Sequence, residues 1–166
     1  MKQHKKVTIS GSFTRDMKKI GQDTEEFKNL DYEVLSPISV NVVKELSHFM
    51  YVDGDVIDDS RRTQDLHFRA IDKSDFLWIV APDGRPGQST CMEMGYAYGI
   101  GKKMYTKDTI LDTTLHDYCD RVQHPDEAIR NFKRLHSDWD WKRRVHRIGM
   151  WFKNFIQSLF PMFIRY

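Results

Sequence analysis

Phe76-Leu77-Trp78-Ile79-Val80 is apolar at every position, and Asp75 opens it. Unbroken hydrophobicity, rather than alternation, marks a strand covered on both faces of a parallel sheet. Around it, strand-like and helix-like stretches take turns. Lys6-Val7-Thr8-Ile9-Ser10 reads as a short strand that breaks at Gly11, followed by a helix capped by Thr14 or Asp16 and running toward Leu30. Tyr32-Glu33-Val34-Leu35 is a second strand ending at Ser36-Pro37. Residues 38 to 58 read as a long irregular connection with a short helix around Val42 to Phe49, a length that suits a lid or substrate loop. From Asp59 or Ser60 a helix runs to Lys73 with Leu66, Phe68, Ala70 and Ile71 turned inward. A loop from Ala81 to Gln88, a helix from Ser89 to Gly99 and a strand Lys103-Met104-Tyr105-Thr106 follow. This alternation predicts an α/β fold: a flavodoxin-like or Rossmann-like three-layer sandwich with a mostly parallel sheet and right-handed crossovers.

Beyond Leu111 the pattern weakens, with a helix expected from Pro125 to His136. Trp139 to Phe160 then places Val145, Ile148, Trp151 or Phe152, Phe155, Ile156 and Leu159 at helical spacing, complemented by Lys142, Arg143, Arg144, Arg147 and Lys153. The expected division is an α/β domain over residues 1–138 and a basic, aromatic, amphipathic helical tail over 139–166. Such a tail fits packing or homo-oligomerisation, and it also fits peripheral contact with a membrane surface.

Charge sharpens this division. Residues 121 to 166 hold ten Lys/Arg against four Asp/Glu, whereas residues 1 to 120 hold 16 against 20, so the overall +2 hides an acidic body and a basic end. The basic residues are interleaved with aliphatic and aromatic side chains and form no known reading module, so nucleic acid is not an expected partner. No apolar stretch reaches the length of a spanning helix. Two cysteines, Cys91 and Cys119, are too few for a disulfide scaffold, and Met1-Lys2-Gln3-His4-Lys5-Lys6 lacks the apolar core of a secretory signal; a cytoplasmic location is expected.

Candidate chemistry gathers where the expected strands end. Glu93 lies in Gly87-Gln88-Ser89-Thr90-Cys91-Met92-Glu93-Met94-Gly95-Tyr96-Ala97, directly after the apolar strand and its loop. In open α/β sheets ligands bind in the crevice beyond the carboxyl ends of the strands, within reach of an acid in the first turns of the next helix. The plainer reading makes Glu93 the acid of a capping box with Thr90 or Ser89. Gly11, Ser12 and Phe13, with Thr14, offer backbone N–H groups at a helix start, a place for a phosphate or a sugar hydroxyl. Gly84, Gly87, Ser89 and Thr90 form a second permissive loop that, with Asp83, is placed to contact base or sugar. Asp65, Arg69 and Asp72 stand at i, i+4 and i+7, the spacing of a surface ion-pair ladder. His116, Asp117, Cys119 and His124 lie close together but at no tight zinc spacing, so no metal is expected.

Ser10-Gly11-Ser12-Phe13, Tyr32-Glu33-Val34-Leu35-Ser36-Pro37, His67-Phe68-Arg69-Ala70-Ile71-Asp72-Lys73-Ser74-Asp75 and the segment from Gly84 to Lys102 resemble, in order and spacing, the nucleoside 2-deoxyribosyltransferase family. The resemblance covers roughly residues 5 to 106, and its most specific part is Ser89 to Ala97 with Gly101-Lys102. It implies a cofactor-free cleavage of the N-glycosidic bond of a nucleoside or nucleotide, with Glu93 attacking the anomeric carbon to form a glycosyl ester. Transfer of the deoxyribosyl group to a free nucleobase is the leading outcome; hydrolysis of nucleoside 5′-monophosphates is the second. A silent nucleotide sensor, using the tail for a partner or membrane, is the rival from another class. The chain departs from the family at two places: His67 stands where an aspartate is usual, and Gly87 where the transferases carry another. His67 then serves as acid or as orienting group for Glu93, with Asp65 two residues earlier as a further acid. The resemblance also implies a site completed by a neighbouring subunit, which would bring Tyr166 near a partner's pocket.

Overall fold

In the computed structural model residues 5–46 and 49–136 are described. The amphipathic tail over 139–166 therefore lies outside the described residues. Two compact units divide the chain, Met1–Ile129 and Arg130–Tyr166. In the second, residues 130–136 are helical, and Phe132 stacks near His136 with ring centroids 4.0 Å apart.

The first unit is built on a five-stranded parallel sheet. Its strands are β1 (Lys5–Gly11), β2 (Tyr32–Ser36), β5 (Phe76–Val80), β6 (Met104–Thr106) and the short β7 (Asp120–Arg121), in the order β2-β1-β5-β6-β7. Between them run α1 (Phe13–Asn29), an antiparallel hairpin of β3 (Val42–Leu46) and β4 (Phe49–Val52), α2 (Ser60–Lys73), α3 (Gln88–Gly99) and the one-turn α4 (Thr113–Asp117). This is a Rossmann-like α/β arrangement. The strand order reverses between β1 and β5, and their carboxyl ends are the natural mouth for a ligand.

The parity of β5 explains why its sequence has no polar position. Phe76 and Trp78 face α1, where Phe27 meets them at ring-centroid distances of 5.9 and 5.1 Å. Leu77, Ile79 and the following Ala81 face the other way, packing with Ile71 of α2, Met94 and Ala97 of α3, and Met104. All five β5 residues are buried. In register beside them, Thr8 and Ser10 of β1 pair with Leu77 and Ile79 and so share the α2/α3 face. Gly11 stands opposite Val80, and a Cβ there would lie 3.0 Å from the Val80 carbonyl oxygen and 3.1 Å from Ile20; the close strand-to-helix return needs glycine.

On the α1 face a buried carboxylate is neutralised. Asp23, 1% exposed, accepts from the Trp78 indole at 2.8 Å and pairs with Lys19 at 3.0 Å and Lys107 at 2.9 Å; Lys107 also reaches Glu26 at 2.8 Å. Burial alone would push the Lys107 ammonium down, but its bonds to Glu26 and Asp23 outweigh that and hold it above its ordinary value.

Two expectations are corrected. The segment around Val42 to Phe49 was expected as a short helix and forms the β3–β4 hairpin instead, with Leu46 paired to Phe49 and Val42 to Val52. The β-branched and aromatic residues Val42, Val43, Phe49, Tyr51 and Val52 suit a pleated surface better than a helix. Leu66 was expected inside and is 42% exposed, because the inward face of α2 runs through Gln64, His67 and Ile71 at i, i+3 and i+7. The other expected strands and helices match to within a residue or two, including Asp59 as the cap of α2, whose carboxylate accepts from Arg62 N at 2.8 Å; but Ser12 caps α1, with Thr14 and Asp16 inside the helix, and α4 and β7 were not expected. No described helix is long and apolar enough to cross a membrane.

Replacing Asp23 by alanine leaves Lys107 half-enclosed and the Trp78 N–H unpaired. The expected loss of unfolding free energy is about 3 kcal/mol, measured by urea titration. A loss below about 1 kcal/mol, the range of an exposed pair, would show that the network carries little of the fold.

Candidate functional site

One stripe of α3 decides where Glu93 goes. Thr90, Glu93, Met94 and Ala97 stand at i, i+3, i+4 and i+7, and all four are buried. Glu93 thus occupies a position on the core stripe of the helix, 6% exposed, between residues that pack under the sheet. The helix is capped by Gly87 with no side-chain bond, and Glu93 lies well past its first turn; the capping-box reading does not hold.

A carboxylate placed there must be satisfied by protein groups. Gln64 Nε2 donates to Glu93 Oε1 at 2.8 Å, and His67 Nε2 lies 3.4 Å from Oε2. The same His67 nitrogen is 3.0 Å from Ser10 Oγ, while its Nδ1 is 2.7 Å from Ser36 Oγ. Both ring nitrogens are therefore engaged, one by β1 and Glu93 and the other by the end of β2. Burial pushes the Glu93 carboxyl up, but the charge of a protonated His67 and hydrogen bonds from His67, Gln64 and Ser10 outweigh it and hold the acid below its ordinary value. Glu93 is an ionised, fixed carboxylate.

Glu93 also lines a cavity of about 560 Å³, within the range that accepts small ligands. Its wall comes from the turn after β1, the end of β2, the connection after β4, the inward and upper faces of α2, and the start of α3. Gly11, Ser12, Phe13, His67, Gly87, Ser89, Thr90 and Glu93, all expected from sequence, meet on this wall. The two loops meet at Gly87, where a Cβ would sit in ordinary contact, 3.7 Å from Ser12 Cβ.

Three expected residues lie elsewhere. Asp65 is exposed and absent from the wall, as its place on α2 turns it away from Gln64 and His67. Asp83 accepts from Arg85 N at 3.0 Å and pairs with Arg15 at 3.4 Å; Arg15 also donates to the Arg85 carbonyl at 2.8 Å, so this group pins the loop after β5 to α1. Gly84, at φ +73°, packs so tightly that a Cβ would lie 2.6 Å from both Leu111 Cγ and the Thr109 carbonyl. Its glycine serves the packing of the loop.

Other residues of the site were not anticipated. Gln64, Ser10 and Ser36 hold the Glu93–His67 pair, and Asp55 joins the cavity wall from the connection between β4 and α2. Arg69, expected in a surface ladder, lines the cavity with Lys73, and neither makes an ion pair within 4.0 Å among the described residues. Asp72 instead accepts from Tyr96 OH at 2.7 Å, and Lys102 donates to the Asp72 carbonyl at 3.1 Å, so these parts of the motif block join α2 to α3. Among the described residues no group of three or more His, Cys, Asp or Glu side chains could hold a metal ion. Cys119 is buried, its thiol pushed up to about 12 by burial first and by nearby Asp120 and Asp108.

No protein-family model matches this chain, and searches of curated proteins and of solved structures gave no match.

Because the folded-state titration of Glu93 is depressed, its ionised form stabilises the fold above the ordinary carboxylate range, and that contribution is lost as pH falls through the depressed value. Changing His67 to alanine removes the largest opposing influence and leaves burial to dominate. The Glu93 titration, followed by carboxyl-carbon NMR, is then expected to move up past its ordinary value; an unmoved titration would mean that His67 does not hold the charge.

Proposed function

We propose that this protein cleaves the N-glycosidic bond of a (deoxy)nucleoside through a covalent ester on Glu93 and passes the deoxyribosyl group to another nucleobase. The observation that carries the reading is a buried, ionised carboxylate, held by Gln64 and His67, on the wall of a cavity sized for a nucleoside. The strand order, which is 2-1-3-4-5 when the sheet strands are renumbered along the chain, accords with the flavodoxin-like form expected from sequence.

An anionic oxygen with no freedom to turn is suited to two tasks in succession. As the bond to the base lengthens, it stabilises the positive charge gathering on the anomeric carbon; it then closes on that carbon, dividing one hard displacement into two easier ones. Gln64 and His67 occupy the carboxylate from the α2 side and fix its rotation, so little orientation entropy remains to be lost at the moment of attack. The hydroxyls of Ser12, Ser89 and Thr90 are available for the sugar, and Phe13, Ile38 and Phe49 for the flat faces of a base. A second base or a water then resolves the ester.

A second reading, hydrolysis of nucleoside 5′-monophosphates, is favoured by Arg69 and Lys73, two cations on the same wall with no acid within ion-pair reach among the described residues. A phosphate on the substrate would give them a partner.

Incubation with deoxynucleosides and with deoxynucleoside monophosphates, each with and without a free acceptor base, separates these readings by chromatography. Exchange that requires the acceptor supports transfer; release of base and sugar phosphate without it supports hydrolysis. Absence of any turnover would reject both and favour a binding protein. Glu93→Ala is expected to lower kcat by about 10³-fold or more, with loss of the glycosyl adduct in intact-protein mass spectra. Should hydrolysis be the activity, Arg69→Ala with Lys73→Ala is expected to raise KM for monophosphates at least about tenfold while sparing nucleosides; equal effects on both would remove the phosphate role.

A further inference from the structure

If Glu93 is the ionised nucleophile, a neutral base still cannot leave as an anion at useful rates, and the acid that protonates it must come from the same cavity. Among the described residues three carboxylates line that cavity: Asp53, Asp55 and Glu93. Asp53 is exposed and accepts from Asn41 Nδ2 at 3.4 Å. Asp55 is half-buried, and the polypeptide fixes it at both ends of the turn that carries it. Val52 N donates to Asp55 Oδ2 at 2.7 Å, and the next residue, Val56, is clamped to the first turn of α2, its N–H donating to Thr63 Oγ1 at 3.2 Å and its carbonyl accepting from the same hydroxyl at 3.3 Å. Thr63 lies one turn before His67, so this clamp brings Asp55 to the side of the cavity where His67 stands.

We propose that Asp55 is the catalytic acid of this site, donating its proton from Oδ1 to a ring nitrogen of the departing base. The inference rests on the glycosidic reading above. Oδ2 is taken by the Val52 N–H, so a proton held by this carboxyl resides on Oδ1, which accepts no hydrogen bond among the described residues. His67 is poorly free for the task, since Nε2 is engaged by Glu93 and Ser10 and Nδ1 by Ser36.

The two carboxyls are also driven in opposite directions. Burial raises Asp55 above its ordinary value, only partly opposed by the Val52 hydrogen bond and the charge of His67, whereas Glu93 is held down. Where surroundings push two carboxyls apart in this way, the raised one is the fitter proton donor and the lowered one the fitter nucleophile. The charged groups that also face this cavity are Asp53 on the same connection and Arg69 and Lys73 on α2.

The step balances as follows. An Oε lone pair of Glu93 forms the bond to the anomeric carbon, the C–N bond pair passes to the base, and the Asp55 proton joins that nitrogen, leaving an ester, a neutral base and the Asp55 carboxylate. In the second step the incoming water or acceptor base attacks the anomeric carbon, its proton passes to Asp55, and Glu93 departs as carboxylate.

The test uses the full chain and a matched pair of substrates: deoxyguanosine, as nucleoside or 5′-monophosphate, and its N7-methylated counterpart, whose base already carries a positive charge and leaves without a proton. Asp55→Asn keeps the size of the side chain and an acceptor for Val52. It is expected to lower the single-turnover rate of base release from the unmethylated member by about 10²- to 10⁴-fold and to leave that from the methylated one, read before the shared second step, within about tenfold of wild type. The high-pH fall of the wild-type profile, caused by loss of the Asp55 proton, is expected for the unmethylated substrate and absent for the methylated one. Activity of Asp55→Asn on the methylated substrate also shows that the variant is folded. Equal loss on both substrates, or no loss on either, would overturn the role of Asp55. Glu93→Gln, by contrast, is expected to fail on both; if it retained activity, or if wild type cleaved neither substrate, the glycosidic reading would fall and this proposal with it.

Discussion

A charged carboxylate on the core stripe of α3 is the constraint from which the rest of the site follows. Left without partners, such a group costs several kcal/mol and would take up a proton or turn the helix outward. It stays ionised because Gln64 and His67 project from one face of α2 and Ser10 from the matching face of β1. Those bonds fix the height of α2 over the sheet. That height in turn lets His67 reach Ser36 at the end of β2 and lets Thr63 hold the segment that carries Asp55. The part of the polar wall made by Gln64 and His67 is thus a consequence of satisfying one negative charge.

The backbone supplies the space around that charge. Where the strand order turns at β1 and β5, the two following helices leave on opposite faces of the sheet and their loops part. Gly11 permits the sharp return into α1, and the facing loop at Gly87 comes within contact range of Ser12. The remaining wall comes from the excursion between β2 and α2, whose Ile38, Phe49, Met50 and Val52 give an apolar lining opposite in character to the hydroxyls of Ser12, Ser89 and Thr90. The crevice thus has one apolar and one hydrogen-bonding lining.

The framework was legible because its signals are local. An apolar run such as Phe76 to Val80, a cap such as Asp59 and a break such as Gly11 each dictate backbone within a few residues. The hairpin was not read, because Val42, Val43 and the Phe49-Met50-Tyr51-Val52 run sit among charged residues whose spacing mimics a helix. In the site, Glu93 was reached from its place just past the apolar strand and then from the family resemblance, and His67 from the resemblance alone. The signal in the chain itself was an acid standing among Thr90, Met94 and Ala97 on one helical stripe. The mate of that signal is Gln64, with His67 and Ile71 on the inward face of α2. Ser10, Ser36 and Asp55 carry no such mark, since their roles arise only when segments distant along the chain are brought side by side. Asp65 illustrates the reverse error: proximity in sequence to His67 placed it near the site on paper, while the turn of the helix carries it away.

The two sides of β5 carry different business. Trp78 leans on the Asp23 cluster under α1, while Leu77 and Ile79 underlie the helices that bear His67 and Glu93. One ribbon of peptide therefore partitions the molecule into a keel and a workbench. A residue exchanged on the workbench side alters what lies beneath the cavity and leaves untouched the ballast that holds Asp23.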